Sequence, residues 1–182
     1  MNVLEYICLD NESKFRSKTV FSPKPIEEIE EVVVDSSIIS NVVVESHDII
    51  LVPVKCIKNP LIRDDKHWLV LCEIRYPNGS IHKFNTRDPL HNLIAEHSDY
   101  EIALSQQFVL FNQEKKPIGW SDKIDLMKNY SSKLDYMQYS QPIIDILIEN
   151  LIHIGIDISN IQMERMVSRW TISFLSKSAT EA

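Results

Sequence analysis

Trp68-Leu69-Val70-Leu71-Cys72-Glu73-Ile74-Arg75-Tyr76 is an apolar run of strand length closed by a turn, Pro77-Asn78-Gly79-Ser80. Asp48-Ile49-Ile50-Leu51-Val52-Pro53-Val54-Lys55-Cys56 is its counterpart upstream. Short apolar runs between turn signals predict buried β-strands. After the turn, Ile81 to Phe84 reads as a returning strand. Further upstream, Leu4 to Leu9 and Phe15 to Phe21 flank the turn-forming Asp10-Asn11-Glu12-Ser13 and predict a hairpin. Ser22-Pro23-Lys24-Pro25 breaks that pattern, and Pro25 to Glu31 reads as one helical turn opened by a proline. Val32-Val33-Val34 and Val42-Val43-Val44 are short β-branched runs around a polar loop.

Downstream, Thr86-Arg87-Asp88-Pro89 opens a helix running to about His97, with an acid and a proline where helix starts favour them. Ile102 to Phe111 reads as a strand, and 112–139 as loop with short helical pieces. Ser140 stands at an N-cap position with Pro142 behind it, and Gly155 stops a helix that runs to Ile154. Its wide apolar face predicts good burial. Ile161 to Leu175 reads as one long or two short strands, and Ser176 to Ala182 as a frayed polar tail. The outline is strands with one early helix, then β-α-β, with a division near Ser98.

The composition is that of an ordinary globular protein, 44% hydrophobic and 25% charged, in a chain of 182 residues. A formal net charge of -7 and scattered basic residues argue against a nucleic-acid partner. No apolar run is long enough for a membrane span, and the start of the chain lacks a signal-peptide pattern. Cys8, Cys56 and Cys72 all sit in apolar runs, an odd set without zinc or disulfide spacing. A reducing, cytoplasmic location follows from this. The 25 Ile, 11 Asn, and 13 Lys against 6 Arg indicate AT-rich coding, of which poxviruses are one source among many.

Several segments, in one order, are similar to glutamine synthetase of the eukaryotic type. Tyr6-Ile7-Cys8-Leu9-Asp10 with Arg16-Ser17-Lys18-Thr19 resembles that family's first hairpin. Asp35-Ser36-Ser37 resembles its Asp-Gly-Ser-Ser loop without the glycine, and Asp48 to Pro53 and Leu69 to Ile74 match closely. Pro117-Ile118-Gly119-Trp120 resembles its Pro-Phe-Gly-Trp, and from Ile143 to Leu175 the pattern runs without a gap. The resemblance covers nearly the whole chain. It implies an α+β, glutamine-synthetase-like fold: a β-grasp domain over residues 1–98, then the first part of the catalytic α/β domain over 99–182. It also implies that the chain stops where the rest of that domain begins.

The family's catalysis needs several carboxylates converging on divalent metals that neutralise phosphate charge. The resemblance places four metal-type glutamates in this span. Where the family reads Glu-Gln-Glu-Tyr, this chain has Ser105-Gln106-Gln107-Phe108, so Ser105 and Gln107 replace two. Glu164 keeps the third as a vestige, and Thr171 replaces the fourth. Glu164 precedes Arg165 directly, and its simpler reading is a carboxylate paired on a strand surface. The family's glycine-rich segment is replaced by Lys128 to Asp135, with no glycine to let a backbone approach phosphate. Asp35 resembles a residue whose loop, in the family, crosses to a neighbouring subunit. It equally reads as an acid satisfying its own turn.

Other chemistries find little support. Ser36 and Ser37 lack a nearby His base and a nucleophile elbow. His91 and His97 do not share a helix face, and Asp64-Asp65 and Glu27 to Glu31 read as solvated charge. The expectation is a glutamine-synthetase-like pseudoenzyme with no cofactor and no metal. It would act through a protein partner, whether itself, a host glutamine synthetase or an unrelated protein, with a viral modulator of a host protein as one form of this, and with Asp35, Ser36 and Ser37 as candidate interface. The alternative is a nucleotide or small-ligand sensor, or a divergent enzyme, using what remains of the pocket.

Overall fold

The computed structural model describes residues 1–40, 47–62, 64–97, 101–125 and 127–175. They fall into two compact units, Met1–Glu96 and His97–Ala182. Val42-Val43-Val44 and the tail Ser176 to Ala182 lie outside the described residues.

The first unit is a sheet of five strands: β1 (Asn2–Leu9), β2 (Phe15–Ser22), β3 (Val32–Asp35), β4 (Asp48–Lys58) and β5 (His67–Arg75). Their order is β2-β1-β5-β4-β3, with β1 and β5 parallel and the other neighbours antiparallel. Period-two alternation buries Leu4, Tyr6 and Cys8 on β1, Ile49 and Leu51 on β4, and Val70, Cys72 and Ile74 on β5. Two 3₁₀ turns, Ile26–Glu28 and Ser36–Ile39, bring Ile26 and Ile39 to that core. Each such buried aliphatic side chain contributes roughly 1.5–3 kcal/mol. Burial also raises the thiols, to about 11 at Cys8 and Cys56 and about 12 at Cys72. Pro53 sits inside β4 without breaking it. β3 begins, at Val32, opposite Leu51, so no β3 carbonyl stands opposite Pro53 to need the N–H that proline lacks, and the register against β5 shifts between Pro53 and Lys55.

The hairpin turn between β1 and β2 is organised by Asp10, whose side chain is fully buried. Its carboxylate accepts from the Glu12 and Lys14 amides, 2.9 Å each, and from Arg16 Nε at 2.8 Å. The β5 turn forms as expected, with Gly79 at φ +81°. Ile81 to Phe84, in contrast, is not a strand. A single bridge joins Arg75 and Ile81. The chain then folds back, with the Phe84 amide donating to His82 Nδ1 and the Asn85 amide to the His82 carbonyl. A buried histidine that accepts locally turns the backbone out of the sheet. Helix α1 (Arg87–Glu96) follows, its first amide capped by the Asn85 side chain at 3.1 Å.

The second unit holds β6 (Leu104–Val109), α2 (Leu134–Met137), α3 (Gln141–His153), β7 (Ile158–Met163) and β8 (Arg169–Phe174). The antiparallel sheet order β6-β8-β7 puts β8 in the centre. β6 is shorter than the sequence predicts, because Phe111 makes only a bridge to Pro117. The described residues of 112–139 are loop with one helical turn, as expected, tied down where the Tyr130 and Ser132 amides meet the Arg165 and Met163 carbonyls. α3 ends at Gly155, φ +79°.

Two expectations for α3 need correction. Ser140 is at the N-cap position, yet its hydroxyl makes no cap hydrogen bond. It accepts instead from the indole Nε1 of Trp170 at 3.1 Å, with both side chains buried. The wide apolar face is also not well buried: Ile144 is the one buried residue of α3, while Ile143, Ile146 and Ile152 are exposed. The core it meets is built on Tyr130, Met163, Val167 and Trp170, and of the α3 residues only Ile144 and Ile148 pack with it.

Candidate functional site

The register of the three-stranded sheet sorts its residues by chemistry. Thr171 on β8 stands opposite Gln107 on β6 and Gln162 on β7, and Ser173 stands opposite Ser105 and Asn160. Directly opposed residues share a face, so Ser105, Gln107, Arg169, Thr171, Ser173 and Gln162 all lie on one side. Phe108, Trp170, Ile172, Ile161 and Met163 take the other side, with the core. One face of this sheet is therefore polar almost throughout.

The polar side chains satisfy one another. The Ser105 and Ser173 hydroxyls are 2.9 Å apart. Arg169 donates to the Gln107 amide oxygen. Thr171 and Gln162 both donate to Oε1 of Glu164, which follows β7 directly. The Glu164 amide closes the β7–β8 turn on the Arg169 carbonyl at 2.7 Å. Ser105, Gln107, Glu164 and Thr171, singled out by sequence at scattered positions, thus share one surface.

Glu164 is not paired with Arg165. The Arg165 guanidinium reaches the Met127 carbonyl at 3.2 Å instead. The Thr171 hydroxyl, then the Gln162 amide, and at longer range the Arg169 charge, hold the Glu164 carboxyl below its ordinary range. Neighbouring residues of an extended chain point to opposite sides, which sends Glu164 and Arg165 apart. Among the described residues, no three His, Cys, Asp or Glu side chains cluster as a metal ion would require. A lone carboxylate with neutral neighbours makes a poor site for a hard cation, which favours several charged oxygens.

The second candidate locus is in the other unit. Asp35 ends β3, and its Oδ1 accepts from the Ser37 amide at 2.8 Å, capping the 3₁₀ turn Ser36–Ile39. Ser36 is buried, and its Oγ lies 3.3 Å from Nδ1 of His47. The sequence shows no histidine near Ser36 because eleven residues separate the two; antiparallel pairing of Asp35 with Asp48 brings them together. The pair does not make a hydrolase. Ser36 Oγ accepts the His47 amide at 3.2 Å, and the hydroxyl faces inward. His47 stacks at 6.3 Å on Tyr76, which in turn packs 4.6 Å from His82.

No protein-family model matches this chain. It is 28% identical over 174 residues to the glutamine synthetase of Debaryomyces hansenii, 29% to that of Emericella nidulans and 30% to that of Tuber borchii. Each match takes in 91% of this chain and 47% or 48% of the relative. The chain therefore spans about half the length of the curated relatives it matches. Among solved structures, GmaS without ligand superposes on 99% of this chain and 44% of its own, with a TM-score of 0.75 at 13% identity. A GmaS–ADP complex superposes on 99% of this chain and 43% of its own, with a TM-score of 0.74 at 12% identity. Across nine-tenths of its length the chain is similar to glutamine synthetases, and its mixed α/β fold with a curled sheet is consistent with their N-terminal domain.

Proposed function

We propose that this chain is a glutamine-synthetase-like pseudoenzyme that acts through protein–protein contact. The observation that carries the proposal is the polar face of the second sheet. At the four positions where the resemblance expects metal glutamates, one carboxylate is present, Glu164, and two neutral side chains, Thr171 and Gln162, already occupy it. A site that delivers Mg²⁺ to phosphate needs converging negative charge. This face supplies hydroxyls, amides and a guanidinium.

The partner in this proposal is another copy of the chain or a host glutamine synthetase, met in the cytoplasm through the exposed loop that Asp35 and Ser37 form. The Ile-, Asn- and Lys-rich composition supports extending it to a viral modulator of a host protein. Three measurements test the proposal. Calorimetric titration with Mn²⁺ should detect no site, and the purified chain should form no γ-glutamyl hydroxamate. Co-expression with a full-length glutamine synthetase should give mixed assemblies that Ser37→Arg weakens. Micromolar Mn²⁺ binding or turnover would remove the pseudoenzyme assignment. A chain that stays a free monomer beside the synthetase would remove the partner.

A further inference from the structure

In the unit His97–Ala182, a cleft of about 440 Å³ opens beside the β7–β8 turn. Its floor is apolar. Tyr130 and Val167 are buried there, with Ile124 half-buried and Trp120 along a wall. The floor is also braced: the Tyr130 hydroxyl accepts the Asp125 amide at 3.0 Å, and its ring meets Tyr136 edge-on at 4.7 Å.

The exposed rim differs from the floor. Lys128, Arg165 and Arg169 stand on it against one lining carboxylate, Asp125, with the Glu164 carboxylate acting on Arg169 at longer range. Acids outnumber bases 26 to 19 in the whole chain, so this local excess of cations runs against its composition. Lys128 is only loosely engaged, its Nζ 4.0 Å from Asp125. Arg165 and Arg169 bind neutral acceptors, the Met127 carbonyl and the Gln107 amide. A neutral acceptor fixes a guanidinium without cancelling its charge. The neutral Gln107 is decisive for Arg169, because a carboxylate there would consume the charge in an ion pair.

We propose that this cleft binds a small organic anion, a phosphate or carboxylate carried on a flat apolar body, without a divalent metal. The anion takes the guanidinium forks of the rim, for which arginine geometry is suited. The body lies against Trp120 and Ile124, the half-buried apolar lining above Tyr130 and Val167. This inference goes beyond the interaction proposal and does not depend on it. It rests on the rim cations and the apolar floor.

The test uses the full chain in EDTA, with phenyl phosphate, inorganic phosphate and phenol as probes, read by thermal shift and by quenching of tryptophan fluorescence. Phenyl phosphate should raise Tm and quench emission, and Trp120→Phe should remove the quench. Inorganic phosphate should bind more weakly and phenol not at all. Arg165→Gln and Lys128→Gln should each weaken phenyl phosphate on the order of tenfold, the effect of one lost charge-assisted contact. Added salt should weaken it as well. The two variants are complementary, since Arg165 also anchors the Met127 carbonyl while Lys128 holds no backbone group. No response to phenyl phosphate would overturn the site, and so would equal binding by wild type and both variants. Equal affinity for inorganic phosphate would overturn the role of the floor.

Discussion

Thr171, in the middle of the central strand β8, donates its hydroxyl hydrogen bond to the carboxylate of Glu164, the residue that follows β7. The bond spans the β7–β8 hairpin and is joined by Gln162 at 3.1 Å. It shows how the sheet accommodates a single acid on a polar face. The charge is met by neutral donors that the register places beside it.

Adding negative charge to that face should be unfavourable without metal. Thr171→Glu sets a second carboxylate against Glu164, and like charges in direct contact cost about 1 kcal/mol on a sheet. Gln107→Glu should be tolerated, because Arg169 already reaches position 107. The triple variant Ser105→Glu, Gln107→Glu, Thr171→Glu should melt below wild type in EDTA and recover with millimolar Mn²⁺. Wild type should not respond to the metal. Thermal denaturation with and without Mn²⁺ reads both effects.

The acid limb of stability should be steered by Asp10. The Lys14 amide first, then the Arg16 side chain and the Glu12 amide, hold its carboxyl below the ordinary value against the opposing effect of burial. A carboxyl depressed in the folded state adds stability above its unfolded value, near pH 4. That stability is lost as pH falls through the folded value. Tm should therefore drop as pH descends below about 4, and Asp10→Asn should melt lower at pH 7 with a flatter acid limb. Glu164 is depressed in the same direction. It is half-buried where the Asp10 side chain is fully buried, so its share should be smaller.

Gly119 and Gly155 should respond differently to alanine. Gly119 has φ +80°, and a Cβ there would sit 2.8 Å from Cδ2 of Tyr139. Gly155 has φ +79° with nothing within 4 Å. Gly155→Ala should cost about 1 kcal/mol for the left-handed backbone alone. Gly119→Ala should cost about 1–3 kcal/mol more, because overpacking adds to that strain. Paired urea denaturation curves measure the difference.

Ser140→Ala should destabilise the second unit although it removes no helix cap. It leaves the buried indole N–H of Trp170 without its acceptor, at a cost of about 1–3 kcal/mol. Threonine keeps the hydroxyl and should recover most of the loss if the added methyl fits. The near-ultraviolet dichroism of Trp170 should change with alanine more than with threonine.

Most strands were legible because a short apolar run between turn signals, as at β1, β4 and β5, is a local signal that needs no partner. The stop of α3 at Gly155 was legible for the same reason. Ile81 to Phe84 misled because a short apolar run says nothing of a histidine that bends the chain back on itself. The apolar arc of α3 promised burial, but burial depends on the opposing core, and of α3 only Ile144 and Ile148 pack with it. The Ser36–His47 contact left no trace at short range, since strand pairing makes it.

At the candidate site the division falls in the same place. The identities Ser105, Gln107, Glu164 and Thr171 settle from sequence alone how little negative charge this face can hold, because protonation chemistry belongs to the residue type. Only the tertiary structure decided that Thr171 and Gln162 engage Glu164, that Arg169 turns to Gln107, and that Lys128 and Arg165 line a cleft over Tyr130. Those relations depend on cross-strand register and on where a long loop returns, and the distant segments that set them meet only when the chain folds.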